Sequence, residues 1–195
     1  LAAVGLGFAL ASVAWRRRGR IRVIAAASGA VVALVGIGLA APSAASVALA
    51  TGAAAASTAV IAVSGRLPQA SVLPWSLAVA AFLLGLRWGG VMPFDLRFGM
   101  LGAGALLAVI PAVIHWRQGR PKGLPAPWLW PPLLVGVSAL ATAVGMGLAE
   151  RPLLAVLAFS AAGVAAFVAW CLRYGGAAPL VVGGVAIGYA HLLQG

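Results

Sequence analysis

Apolar residues run along this chain in long stretches, and polar positions collect in the short gaps between them. Eight such stretches can be drawn, at 1–15, 23–41, 44–64, 71–90, 97–116, 128–148, 153–172 and 178–195. Most approach the roughly 20 residues that a helix needs to cross a hydrocarbon layer about 30 Å thick. They do not alternate with period two, and Gly and Ala punctuate without breaking them, which excludes a transmembrane barrel with a polar lumen face. The pattern predicts an all-α polytopic transmembrane bundle of about eight helices with short loops. It forms a single transmembrane domain over 1–195, with no soluble domain.

Two places depart from the regular spacing. The opening stretch, Leu1 to Trp15, is only about 22 Å long as a helix, so its true start is expected upstream. Basic residues follow it rather than precede it, which favours a first helix entering from outside over a signal peptide. The longest link, Arg117 to Pro127, reads RQGRPKGLPAP, and its prolines and glycines make it a stiff irregular connector and a candidate sub-boundary. Pro111 lies inside the fifth stretch and frees the carbonyl of Leu107, so a kink is expected there.

Composition agrees with the pattern: 64% of residues are hydrophobic, only 8% are charged, and the mean hydropathy is +1.11. Soluble domains carry about a quarter charged residues. Charge then sets orientation. Thirteen residues are Lys or Arg, while Asp95 and Glu150 are the only acids. Placing Arg16, Arg17, Arg18, Arg20 and Arg22 in the cytoplasm puts Arg66, Arg117, Arg120, Lys122 and Arg173 there too, ten of the thirteen. Both termini then lie outside, in a bacterial-type inner membrane. The net charge of +11 is accounted for by topology, so nucleic acid is not an expected partner. Membrane lipids are, with Arg16, Arg17, Arg18, Arg20 and Arg22 as candidate contacts to anionic headgroups. Trp15, Trp116 and Trp170 each stand where a descending helix meets its basic end, the position of interfacial anchors.

The chemistry-bearing residues are few. No Asp, Glu, Lys or Arg falls near the middle of any stretch, which lowers the weight of ion-coupled transport and of intramembrane hydrolysis. No catalytic residue, metal ligand set or cofactor site is expected. Cys171, the only cysteine, reads as a small packing residue. His115 reads as an interfacial residue beside Trp116 and Arg117. It lies at the opposite end of the bundle from His191, so joint haem ligation is not expected. The third stretch consists largely of Ala, Ser, Thr and Gly and should be buried in the bundle. Thr51 and Thr58 share one of its faces with Ala48, Ala55 and Ala62. They are candidate path-lining residues, with Ser138 and Thr142 of the sixth stretch and His191 of the eighth. The alternative is that these hydroxyls only bond their own helix. Gly184 and Gly188 form a small-xxx-small pair that favours close packing.

Three functions fit. The first is a permease or facilitator for a small neutral or apolar solute, not ion-coupled. The second is a non-catalytic subunit of a larger membrane complex. The third is a lipid-handling membrane enzyme, which lacks an evident acid, base or nucleophile array.

Overall fold

The computed structural model describes residues 43–90, 93–119, 126–147, 151–173 and 178–193, together with positions 7, 29, 31, 32 and 35. Apart from those five positions, the stretches 1–15 and 23–41 lie outside the described residues, as do the cluster Arg16 to Arg22 and Glu150. Among the described residues the chain is all-helical, with six α-helices: α1 (Ala44–Gly65), α2 (Val72–Trp88), α3 (Pro93–Arg117), α4 (Trp130–Met146), α5 (Arg151–Leu172) and α6 (Ala178–Leu193). A single 3₁₀ turn, Pro68–Ser71, leads into α2. Among the described residues, four spans are long and apolar enough to cross a membrane: Ala45–Val63, Pro68–Trp88, Leu96–Arg117 and Leu153–Leu172.

The chain divides into two compact units, residues 1–92 and 93–195. The connector at 117–127 lies inside the second. In the first, α1 and α2 form a helical hairpin. Ser43 caps α1 by accepting a hydrogen bond from the Ser46 backbone N–H at 3.2 Å. At the other end Arg66 adopts a left-handed conformation (φ 54°) and the Leu67 N–H reaches back to the Ala62 carbonyl at 3.0 Å. This is the closing pattern that a glycine usually supplies.

In the second unit α3 packs on both α4 and α5, and α5 packs on α6. The α3–α4 seam is backbone on backbone. A Cβ built on Gly136 would lie 2.6 Å from the Ala108 nitrogen and 2.8 Å from the Gly104 oxygen and the Leu107 carbonyl carbon. No side chain could stand there. Helix α3 continues through the buried Pro111 as one element, so the carbonyl that this proline deprives of its helical partner sits close to Gly136. Gly184 and Gly188 of α6 face side chains of α5, with their built Cβ atoms 3.0 Å from the Ala162 Cβ and from the Phe159 ring.

Burial sorts the residues by size. Buried positions are dominated by alanine, among them Ala54, Ala108, Ala112, Ala143 and Ala158, whereas Leu106, Ile110, Val156, Phe167 and Trp170 are exposed. A water-soluble domain buries its large aliphatic and aromatic side chains. Leucines such as Leu154 and Leu157 are buried as well, but this bias towards alanine inside and large apolar residues outside is the distribution expected where the surrounding solvent is hydrocarbon.

Only one helix start among the described residues differs from the sequence expectation by more than two residues. Helix α3 begins at Pro93 rather than 97, placing Asp95 in its first turn, where the positive end of the helix dipole favours an acid. Pro93 itself suits the first helical position because its missing N–H would have had no partner there. Helix α2 begins at Val72 after the 3₁₀ turn.

Candidate functional site

The candidate hydroxyls on α1 are buried and bonded locally. Thr51 is 4% exposed and Thr58 6%. The Thr51 hydroxyl donates to the Val47 carbonyl at 2.7 Å. The Thr58 hydroxyl reaches the Ala54 and Ala55 carbonyls at 2.8 and 3.0 Å. Ser57, also buried, donates to Ala53 at 2.8 Å. Each hydroxyl thus spends its one proton on the preceding turn, a bond that leaves helix geometry intact and needs no outside partner. The face shared with Ala55 and Ala62 is the buried one.

Ser138 and Thr142 lie in the second unit, on the exposed face of α4, and behave alike. Ser138 donates to Val135 at 2.9 Å and Thr142 to the Ser138 carbonyl at 2.8 Å. His191 falls in the last turn of α6, and its side chain lies outside the described residues.

The polar feature that sequence reasoning passes over is at the far ends of α3 and α5. Both helices close on residues with left-handed backbone, Gly119 (φ 61°) after α3 and Arg173 (φ 52°) after α5. The Gly119 N–H returns to the Trp116 carbonyl and the Arg173 N–H to the Trp170 carbonyl, each at 3.1 Å. Just before these closures Ala108, Ala112, Val168, Cys171 and Leu172 form one buried cluster with Leu140. The two helices therefore run in the same direction and end at the same level. Trp116 and Trp170 meet there with ring centroids 5.6 Å apart, and Phe167 joins Trp170 at 5.9 Å.

Between the two ends is a recess of about 40 Å³ lined by His115, Trp116, Gly119, Cys171, Leu172 and Arg173. His115, Cys171 and Leu172 are buried and make its floor; Trp116, Gly119 and Arg173 are exposed and make its rim. His115 is only 3% exposed, and its Nδ1 has no hydrogen-bond partner among the described residues. Leaving a polar nitrogen buried and unbonded costs about 1–3 kcal/mol. Among the described residues no three His, Cys, Asp or Glu side chains come together as a metal site would require.

A signal for this recess did exist in the sequence. His115 and Cys171 each neighbour an anchor tryptophan, in HWRQG and AWCLRYG, and anchors at equal depth place their neighbours at equal depth. That the two helices touch is a tertiary fact without a local trace.

A second cavity, an apolar cleft of about 330 Å³, lies among α4, α5 and α6, with Val137, Ala141, Ala161, Ala165, Gly184 and Ile187 among its lining residues. Small residues open it. Comparison of the chain with protein-family models, with curated proteins and with solved structures gave no match.

Proposed function

We propose that this chain is an eight-helix multi-pass protein of the cell inner membrane, with both ends outside, acting as a non-catalytic subunit of a larger membrane complex. The observation that carries the reading is the local bonding of the buried Thr51 and Thr58 hydroxyls. A path for a polar solute must offer it polar groups, whereas these hydroxyls already donate to their own helix. The common direction of α3 and α5, with one helix between them in sequence, supports alternating crossings. The anionic headgroup contacts of Arg16, Arg17, Arg18, Arg20 and Arg22 belong to the same topology. Purification of the native protein in mild detergent tests the role. A stoichiometric membrane partner is expected, and a chain that migrates alone at every detergent concentration refutes it. For orientation, a cysteine at position 18 in a Cys171→Ala background should resist an impermeant external thiol reagent.

The second reading, a facilitator for a small neutral or apolar solute without ion coupling, is supported by the apolar cleft among α4, α5 and α6. On this reading Thr51 and Thr58 in the first unit, and separately Ser138, Thr142 and His191 in the second, are the residues that would line a path. Bulky apolar replacements at Thr51 and Thr58 should then block flux in proteoliposomes while the protein stays folded.

A further inference from the structure

We propose that the recess between the ends of α3 and α5 binds a phosphate group, with the buried His115 Nδ1 and the Arg173 guanidinium as its recognition elements. The inference rests on the chain's being embedded in a membrane and is independent of the subunit reading.

The chemistry follows from the walls. A helix end carries about half a negative charge from its free carbonyls, so two ends at one level repel an anion unless cations outweigh them. Here they do: Arg117 and Arg173 close the two helices, and Asp95 lies at the opposite end of α3. The floor supplies what a bare basic surface lacks, a ring nitrogen fixed by burial and without a partner among the described residues. The His115 ring lines the recess, so an Nδ1–H there can donate to an entering anionic oxygen, and the Arg173 fork takes a second oxygen from the rim. With about 40 Å³ the recess exceeds the roughly 10–15 Å³ that one water-sized group requires, enough for phosphate oxygens to enter from the rim.

Two sources share this chemistry, an anionic phospholipid and free phosphate. Depth favours the lipid, because the Trp116–Trp170 pair marks the level where indoles meet headgroups. The apolar cleft adds to this: its residue Val168 lies one helical turn from Leu172 of the recess, so a hydrocarbon chain has a surface close to its headgroup.

The test uses the whole chain, ¹⁵N-labelled at its two histidines, in zwitterionic nanodiscs. Phosphatidylglycerol is titrated in one arm and inorganic phosphate in the other, with the His115 Nδ1 resonance as readout. A saturable shift with phosphatidylglycerol alone supports the proposal with lipid as source; a shift with inorganic phosphate supports it with free phosphate as source. Arg173→Asn, at an exposed position whose left-handed backbone asparagine tolerates, should weaken binding about fivefold. Absence of any shift overturns the proposal, and so does an equal response to phosphatidylglycerol and phosphatidylcholine that Arg173→Asn leaves unchanged.

Discussion

Replacing Gly136 with alanine adds one methyl group, and the α3–α4 seam has no room for it. The new Cβ would stand 2.6 Å from the Ala108 nitrogen, about 0.8 Å short of the 3.4 Å at which ordinary contact begins. The obstructing atoms are backbone, at Ala108, Gly104 and Leu107, so no rotamer change relieves the clash. Either the helices separate or one of them bends. A gap of about 0.5–1 Å forfeits a quarter to a half of each dispersion contact along the seam, and overpacking of this kind costs about 1–3 kcal/mol. Gly102 of α3 is the control, since a Cβ there meets nothing within 4 Å. Its replacement by alanine should be neutral or gain up to about 1 kcal/mol of helix propensity. The two variants should therefore differ by at least about 1 kcal/mol. Reversible unfolding in mixed micelles, followed by circular dichroism, measures the difference. Equal stabilities for Gly136→Ala and Gly102→Ala would refute the backbone seam.

Other substitutions probe the remaining features. Thr58→Val keeps the shape and removes a hydroxyl that bonds only its own helix, so unfolding should shift by less than about 1 kcal/mol. Gly52→Ala should be tolerated, because its Cβ would meet only the Ala81 Cβ at 3.9 Å, whereas Ala55→Leu on the buried face should cost about 1–3 kcal/mol in the same assay. Arg66→Gly should stabilise the α1 terminus by about 1 kcal/mol, since a left-handed backbone strains every residue with a Cβ; unchanged stability would mean the loop relaxes instead. Trp170→Ala should lose about 0.5–1.5 kcal/mol of ring contact with Trp116, readable as a lower unfolding midpoint.

The sequence carried most of the helix map. The stretch at 44–64 matches α1 closely, because Ser43 and the polar Ser64-Gly65-Arg66 turn bracket a run with no internal charge. The start of α3 was less legible. Asp95 and Arg97 look like a loop to a reading that treats every charge as an end, yet a helix's first turn is a favourable place for an acid and Pro93 is a natural first residue. Small-residue packing was legible in kind and incomplete in place. The alanine-rich third stretch drew attention, while the tightest approach belongs to Gly104 and Gly136, whose neighbours Leu140, Leu106 and Leu107 hide the small-residue rhythm. The recess was least legible. His115 and Cys171 are unremarkable singly, and only the packing of α3 on α5 gives the histidine a buried, unbonded nitrogen.

The size-sorted interior has a consequence for the entropy of folding. Alanine and glycine have no side-chain rotamers to freeze, so bringing their faces together costs backbone freedom alone. The longer side chains that would lose most on ordering, such as Leu106, Ile110 and Phe167, point outward, where fluid lipid lets them keep their torsional motion. Helix association in this protein is thus cheap in disorder and strict in shape. Variation among leucine, isoleucine, valine and phenylalanine should accumulate freely on the outer faces, while a single methyl at the seams is enough to be felt.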